Sequence, residues 1–510
     1  MEPEELTDLA LRAAVAAGAG YADARWVRQE TESLTVTDDR VDDLEADDSS
    51  GLGVRVLVDG RWGFAASAVL DQERVRDLGR RAVEIARAAA SLPGEPVRLA
   101  PLEPAVASWS TPLGRDPFAV PLADRVELLL AACEAQRGVA GLTHARATVD
   151  LWRRRTLFRS SEGARLDQTV TQTGAGIEAV AVGDGDLQQR SWPNSFRGQF
   201  LAGGWEVVEA ADLVGNAPRV ATEAVDLLHA PELPERVTTV ILDGQQLSLQ
   251  VHESVGHPLE LDRIFGTEAS YAGTSFVRPS DRGRLRYGSA AMSVTSDATT
   301  PGGLGTFGFD DEGVPAQRVP LVAGGMLQGF LTSRETATAL GATSGGAMRA
   351  DGWGNPPLIR MTNVNLEPGE GTLDDLVADT ADGLLLSVNR SWSIDDRRVN
   401  FQFGVEAAWE IRGGRLGRLY KNATYDGRTT EFWGSLDAVC GPEAWVVWGI
   451  PNCGKGQPYQ NGRVSHGAAP GRFRDVHVGV RGAWLGSPSG CWRWPRSRSP
   501  PRAPTTPRPW

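Results

Sequence analysis

Residues 245–262 read Gln-Gln-Leu-Ser-Leu-Gln-Val-His-Glu-Ser-Val-Gly-His-Pro-Leu-Glu-Leu-Asp, and this stretch sets the expectations for the rest of the chain. The residues before it, 238–244 (TTVILDG), are typical of a buried strand that ends in a turn. The apolar residues that follow predict a short buried helix carrying His252, Glu253 and His257. Two imidazoles can hold a zinc ion while a carboxylate takes a proton from water at that ion. The stretch therefore predicts a zinc-dependent hydrolase.

The two histidines are five residues apart, whereas the histidines of the zincin motif HExxH are four apart. Five steps along a regular α-helix leave the two rings about 140° apart around the helix axis, so they cannot both face one ion. A π-type turn, which bonds residue i to residue i+5, would bring them to one face. Gly256 permits such a turn, and Pro258 disfavours α geometry at His257. We predict a helix that widens or ends at Gly256–His257, with His257 turned back toward His252.

Length and composition narrow the class of protein. A chain of 510 residues is long enough for two or three domains with sizeable cores. Its formal net charge of −13 argues against a general nucleic-acid surface. We expect no membrane association, because no apolar run approaches the ~20 residues that a membrane span needs. The sparse cysteines argue against a disulfide framework, and the acidic N-terminus lacks a secretory signal, so we expect the cytoplasm.

The composition of the chain changes at Pro231 and Pro234. Before these prolines, amphipathic helical patterns alternate with long strand-like runs, and Asp59-Gly60 is a strong hairpin signal. After them, short strands alternate with glycine-rich turns. We therefore predict an α+β fold. An N-terminal α/β domain with antiparallel strands and flanking helices occupies residues 1–232, and a β-rich C-terminal domain carrying the metal site occupies residues 233–482.

Smaller segments give further predictions. Each half has a helical pattern near its end, and we predict one long helix over residues 206–228 and a short one over residues 430–440. Residues 483–510 hold arginine, proline and serine but no acidic residue, which predicts a disordered basic tail. We interpret this tail as an accidental extension, such as an altered reading frame, and assign no function to Cys491.

Two histidines are not enough for a catalytic zinc site, which usually has three protein ligands and one open position. Cys453, in Gly-Ile-Pro-Asn-Cys-Gly-Lys-Gly, is one candidate, because a thiolate binds zinc and the glycines allow close backbone approach. Glu260 is a second, since two histidines and a glutamate form a common catalytic set. Asp262, His466 and Cys440 are further candidates. We expect His466 in a loop, where it either lines the cleft or caps a turn.

A longer series of motifs makes the chain resemble the TldD/PmbA family of metallopeptidases, and in particular the TldD-like branch that keeps the metal motif. The match runs from about residue 20 to residue 482 and is more specific than any single motif. It rests on the segments His252-Glu-Ser-Val-Gly-His257, Leu259-Glu-Leu-Asp, Asp310-Asp-Glu-Gly-Val-Pro-Ala-Gln, Arg360-Met-Thr-Asn, Ser391-Trp-Ser-Ile-Asp-Asp, Asn400-Phe-Gln-Phe-Gly, Pro451-Asn-Cys-Gly-Lys-Gly-Gln-Pro and His466-Gly-Ala-Ala-Pro-Gly-Arg-Phe-Arg.

The resemblance implies a zinc peptidase in which His252, His257 and Cys453 hold the ion and Glu253 is the general base. It thereby favours Cys453 over Glu260 as the third ligand. It also implies peptide substrates, including precursors of modified peptide antibiotics and loosely folded small proteins. The implied assembly has two subunits, either a homodimer or a heterodimer with a metal-less TldD/PmbA relative. Two alternatives stay open: a non-catalytic subunit whose metal is structural, and a nucleic-acid-associated regulator, against which the acidic charge speaks.

Overall fold

The computed structural model describes residues 1–183 and 185–479. The predicted α+β fold is confirmed, with helices flanking the sheet of the N-terminal half and a β-rich C-terminal half. The division after residue 232 stays a proposal. The predicted tail at 483–510, with Cys491, lies outside the described residues. Within the described ranges, no helix combines the length and the apolar character needed to cross a membrane.

The N-terminal half contains long strands and five main helical segments over the part described. Its helices are α1 (Pro3–Ala16), α2 (Gln72–Ala88), α3 (Leu122–Arg137), α4 (Glu206–Ala211) and α5 (Leu213–His229). Its strands are β1 (Tyr21–Thr37), β2 (Arg40–Val58), β3 (Arg61–Ser67), β4 (Val106–Ser110), β5 (His144–Ser160), β6 (Arg165–Gly183), β7 (Asp186–Trp192) and β8 (Gln199–Ala202).

One mixed sheet organises this half. The strand order is β3-β2-β1-β5-β6-β4, with β7 and β8 also paired to β6. The β4–β6 pair is parallel, whereas β1 and β2 form a long antiparallel hairpin. Asp59 and Gly60, both with positive φ, make the β2–β3 turn that the sequence predicted. Helices α1 and α2 bury one apolar cluster against the sheet, and α3 and α5 bury another.

The C-terminal half consists of shorter elements. Its helices are α6 (Gly244–Val251), α7 (Leu261–Phe265), α8 (Arg334–Ala339), α9 (Leu373–Ala378) and α10 (Thr429–Gly434). Its strands are β9 (Arg236–Leu242), β10 (Val294–Asp297), β11 (Arg318–Ala323), β12 (Met326–Leu327), β13 (Met348–Arg349), β14 (Leu358–Ile359), β15 (Val364–Leu366), β16 (Asp382–Ile394), β17 (Asn400–Arg412), β18 (Arg415–Tyr420), β19 (Thr424–Arg428), β20 (Leu436–Val439), β21 (Val446–Lys455), β22 (Gln460–Ala468) and β23 (Gly471–Val478).

The main sheet of the C-terminal half closes on itself. Strand β9 pairs with β16 and β23, and the ring continues from β16 through β17 and β19 back to β23. Strands β18 and β20 extend it at the sides. Helix α6 follows directly from β9 and is buried along its whole length. The ring thus fixes the start of the segment that carries His252 and His257.

Two predicted helices are shorter than the sequence suggested. The helix expected over residues 206–228 breaks at Asp212, which has a φ of +42° and whose carboxylate caps α5 by accepting the Gly215 N–H at 3.2 Å. The helix expected over residues 430–440 ends at Gly434, and the chain continues as β20. In both places the apolar pattern is typical of a helix. The cap at Asp212 interrupts the first helix, and the pairing of β20 with its neighbouring strand ends the second.

An acidic turn joins the two halves. Asp311 lies 3.6 Å from Arg25 and 3.3 Å from Arg154, and Glu312 lies 3.2 Å from Arg55. All five side chains are largely buried. Burial alone would raise the pKa of Asp311, but Arg154 and Arg25 outweigh it and lower the pKa. These pairs hold the N-terminal sheet against the loops that surround the C-terminal core.

Candidate metal centre

The segment after α6 forms the π-helical turn that the histidine spacing predicted. The π turn spans His252–Gly256, and a 3-10 turn follows at His257–Leu259. The backbone N–H of His257 donates to the carbonyl of His252, which is the i to i+5 bond of a π turn. As a result, the two imidazole rings lie with their centroids 4.7 Å apart. The prediction that the helix widens here and turns His257 back is confirmed.

The reasons given for this turn need correction. Gly256 has a φ of −59°, so the backbone does not require glycine; instead a Cβ there would lie 2.0 Å from the sulfur of Met361. The expected effect of Pro258 is wrong, because His257 has φ −60° and ψ −44°, in the right-handed helical region. Pro258 lies in the first turn of the new 3-10 helix, where its missing N–H costs nothing.

His252, His257 and Cys453 come together in the buried interior. Among the described residues, one ligand atom from each of them forms a set in which all atoms lie within 4.8 Å of one another. The Cys453 Sγ, brought in by β21, lies 3.6 Å from the Nε2 of His257. Zinc bonds nitrogen at about 2.0–2.1 Å and sulfur at about 2.3 Å, so one ion fits between atoms spaced in this way. Two imidazoles and a thiolate are also a donor set that zinc accepts.

The rival candidates have other partners. The Glu260 Oε2 lies 3.1 Å from the Nδ1 of His257 and 3.3 Å from the Lys455 Nζ. Asp262 accepts from the same Lys455 at 2.8 Å. Cys440 lies in the apolar core, where burial raises the pKa of its thiol to about 11 and keeps it neutral. None of these three belongs to the compact set within the part of the chain that is described.

His466 is fully buried in strand β22, so the expectation of a loop residue that lines a cleft or caps a turn is wrong. Its Nδ1 lies 2.8 Å from the carbonyl oxygen of Val364, and its Nε2 lies 2.7 Å from the Nδ1 of His252. The carbonyl only accepts, so the Nδ1 of His466 carries a proton. Burial lowers the pKa of His466 to about 3, so the ring is neutral and its Nε2 accepts. The Nδ1 of His252 then donates, which leaves the lone pair of its Nε2 for a metal.

Glu260 orients the other imidazole. Burial alone would raise the pKa of Glu260, but Lys455 and His257 outweigh it and keep the carboxyl ionised. An ionised carboxylate only accepts, so the Nδ1 of His257 donates to it and the Nε2 faces Cys453. Burial would also raise the pKa of Cys453, but Arg360 and His257 outweigh it and lower the pKa. The thiolate, the form that binds metals, is therefore favoured.

Glu253, the predicted base, is ion-paired with a residue that the sequence did not single out. The Nη1 of Arg398 donates to the Oε2 of Glu253. Arg398 lies in the turn between β16 and β17 with a φ of +64°. It follows directly after the motif Ser391-Trp-Ser-Ile-Asp-Asp and Arg397, so a signal was present in that neighbourhood. The pairing itself depends on tertiary structure, which places the β16–β17 turn beside the π turn.

Replacing His466 is expected to weaken metal binding while the fold stays intact. In His466→Ala the Nδ1 of His252 loses its acceptor, and loss of such a supporting partner typically costs about 10- to 100-fold in metal affinity. His466→Gln, whose amide oxygen can accept, should recover part of the loss. The measurement is zinc competition against a chromophoric chelator, with exposed His144→Ala as the control. Wild-type affinity in His466→Ala would contradict the role of this hydrogen-bond chain.

The fold and the buried cluster of donor atoms define a class of protein with a candidate metal site, and comparisons with known proteins give the family. Three family models match: PmbA/TldA metallopeptidase domain 1 at residues 22–86, the central domain at 115–230 and the C-terminal domain at 234–479. A metalloprotease from Synechocystis sp. is 32% identical over 468 residues, which is 90% of this chain and 95% of that protein. The chain belongs to the PmbA/TldA metallopeptidase family.

Other relatives differ in what their names state. A zinc metalloprotease TldD homolog from Saccharolobus solfataricus is 23% identical over 205 residues, 39% of this chain and 43% of that protein. A Thermotoga maritima crystal structure, described as a candidate modulator of a DNA gyrase, has a TM-score of 0.75 at 16% identity and covers 93% of this chain and 100% of its own. TldE from Thermococcus kodakarensis has a TM-score of 0.67 at 16% identity, with 92% and 99% covered. At these identities the two solved structures show the fold alone.

Proposed function

We propose that this metallopeptidase is a zinc enzyme that hydrolyses peptides or loosely folded small proteins, including precursors of modified peptides. His252, His257 and Cys453 are its proposed ligands, and Glu253 is its proposed general base. One observation carries the proposal: the three ligand atoms lie within 4.8 Å of one another, and Glu253 follows His252 on the same π turn.

The donor atoms support zinc as the proposed metal. Thiolate and imidazole donors suit zinc, whereas calcium and magnesium prefer oxygen ligands. The relative from Saccharolobus solfataricus is named as a zinc metalloprotease, which agrees with this choice. The residues present would supply three protein ligands, the usual number in a catalytic zinc site.

The chemistry divides between the ion and the side chains. Zinc, when bound, supplies a Lewis acid that activates water and polarises the scissile carbonyl. Glu253 takes the proton from the attacking water and passes it to the leaving amine. Glu260 and His466 hold the imidazoles of His257 and His252 in the required orientation. Burial of the centre limits the access of bulk water to the reacting atoms.

A cavity bordered by β21 and β22 is the proposed approach for the substrate, although none of His252, Glu253, His257 and Cys453 lines it. It has a volume of about 600 Å³ and lies between the β1–β2 hairpin and the β21–β22 hairpin. Its lining includes Trp152, Asn452 and Arg463, and Asn452 directly precedes Cys453. Strands β21 and β22 form a two-stranded sheet in the described structure, so an extended peptide could pair with one of their edges. Such pairing uses main-chain groups and tolerates many sequences.

We also propose a two-subunit assembly, either a homodimer or a heterodimer with a metal-less relative. The fold likeness to TldE is consistent with such a pairing. We propose a cytoplasmic location, which agrees with the finding that Cys133, Cys440 and Cys453 form no disulfide.

Metal removal tests the proposed function. The purified chain, alone and co-expressed with a metal-less relative, is expected to hold zinc near one per chain and to cleave a mixture of unstructured peptides. Dialysis against a chelator should abolish cleavage, and zinc should restore it. The measurements are elemental analysis and mass spectrometry of the products. Near-stoichiometric zinc without hydrolysis in either preparation would instead assign the metal a structural role.

A further inference from the structure

Arg398 forms an ion pair with Glu253, the proposed general base. The proposed reaction requires that the carboxylate of Glu253 does not bind the metal. The guanidinium of Arg398 donates to the Oε2 of Glu253, and the two side chains are 14% and 8% exposed. Glu253 directly follows His252 in the π turn, and its carboxylate is not one of the atoms of the three-residue ligand set. An unpaired carboxylate on the residue next to a metal ligand can turn to coordinate the ion, because carboxylate oxygen is itself a zinc ligand.

The turn that carries Arg398 is held firmly. The Asp395 carboxylate accepts the backbone N–H groups of Arg397 at 3.0 Å and Val399 at 2.9 Å. The Arg398 N–H donates to the Asp395 carbonyl at 2.8 Å, and its own carbonyl accepts from the Thr429 hydroxyl at 2.6 Å. The guanidinium is therefore delivered to Glu253 by a fixed backbone rather than by a loose loop.

The backbone conformation of Arg398 also points to a role for its side chain. Its φ of +64° lies in the left-handed region, where glycine and asparagine are favoured and other residues are strained. Strain of this kind persists where the surrounding structure enforces it, and it clusters at functional sites. In addition, the Nε of Arg398 is buried without a hydrogen-bond partner among the described residues. The turn thus contains a residue with a strained backbone, and the main polar contact of its side chain is Glu253.

We propose that Arg398 is a positioning residue that keeps Glu253 out of the coordination sphere of the metal. The ion pair fixes one carboxylate oxygen and leaves the other to accept a proton. It also places a positive charge against the carboxylate of the residue that follows His252. This inference rests on the proposed function, because it assumes that Glu253 acts as a base. No bond is made or broken by Arg398 itself.

If Arg398 has this role, replacing it lowers peptide turnover and raises zinc affinity. In Arg398→Met the carboxylate is released toward the ion and a repelling charge is removed, so zinc should bind at least about threefold more tightly. Peptide turnover should fall about 10- to 100-fold in kcat, the cost of losing a hydrogen bond between charged groups. Arg398→Gly should behave in the same way and relieves the backbone strain, which covers the case that the methionine variant folds poorly.

The matched control is Arg397→Met, which removes the same charge from an exposed neighbour in the same turn. It should leave both quantities within about twofold of wild type, the range of exposed surface charges. Cobalt(II) substitution adds a readout independent of turnover. Its visible spectrum should change in Arg398→Met and return to the wild-type form in the double variant Arg398→Met, Glu253→Gln, because glutamine is a weaker ligand than carboxylate.

Three results would overturn the role of Arg398: wild-type kcat in Arg398→Met, zinc binding that is unchanged or weaker, or an equal effect of Arg397→Met. Weaker zinc binding together with slower turnover would indicate a structural support instead. The metal-affinity and cobalt measurements do not require an active enzyme. If the wild type binds zinc but cleaves no peptide, the proposed function fails while these two measurements still decide whether Arg398 keeps Glu253 from the ion.

Discussion

Glu253→Gln is expected to keep its zinc and to lose peptide hydrolysis by about 10²- to 10⁴-fold, the range that a positioned general base contributes. Glutamine has nearly the same size as glutamate and can still accept from Arg398, so the π turn should keep its shape. It has no basic oxygen with which to take a proton from the attacking water. The zinc content should stay near that of the wild type, because Glu253 is outside the His252, His257 and Cys453 set. Elemental analysis and initial rates on one peptide measure both quantities.

A buried carboxylate elsewhere in the C-terminal half provides the control for this variant. Glu406 is fully buried, accepts from the Ser191 backbone N–H at 2.8 Å and pairs with Arg190. In Glu406→Gln, Arg190 keeps its ion pair with Glu223 at 2.8 Å, so the fold should tolerate the change. This variant should hydrolyse peptide at the wild-type rate. Full activity in Glu253→Gln would remove Glu253 from the mechanism, whatever its distance from the ligands.

The sequence predicted the centre best where its geometry is local. If both imidazoles face one ion, the five-residue spacing of His252 and His257 does not fit a regular helix, which is why the sequence predicted a helix that widens or ends at Gly256–His257. The reason for Gly256 was missed because the sulfur of Met361, which fills the space of its absent side chain, is far away in sequence. The spacing of residues along the chain can predict the shape of a turn. The contacts that require a particular residue at each position come from tertiary packing, which the spacing does not show.

Long-range partners could not be derived from local patterns. From local sequence, Cys453 and Glu260 were close rivals as third ligand, and only the resemblance to a family separated them. The structure gives each a different position, with Cys453 against the Nε2 of His257 and Glu260 against its Nδ1. His466 was expected in a loop, although strand pairing buries it against His252. Arg398 was not identified, because nothing near it in sequence indicates that its turn packs beside Glu253.

Cys453→Ala is expected to release the metal. A supporting partner of a ligand is worth about 10- to 100-fold in metal affinity, and a direct ligand should exceed that, so we expect a loss of more than about 100-fold. Peptide hydrolysis should disappear with the metal at ordinary zinc concentrations. Because a metal that binds only the folded state adds to stability, the zinc-dependent rise in melting temperature should also be lost. Zinc competition and thermal unfolding with and without zinc measure these effects.

Cys440→Ala separates the loss of a ligand from the loss of a buried thiol. Both cysteines are buried in the same apolar core, but Cys440 stays a neutral thiol whereas Cys453 is poised toward the thiolate by Arg360 and His257. Cys440→Ala should lower the melting temperature slightly, through the small cavity it leaves, and keep wild-type zinc affinity. If Cys453→Ala instead retained zinc and the Cys453→Ala, Glu260→Gln double variant lost it, Glu260 would be the third ligand. The Oε1 of Glu260, which is buried without a hydrogen-bond partner among the described residues, would then be the oxygen that binds the ion, while Oε2 still accepts from the Nδ1 of His257.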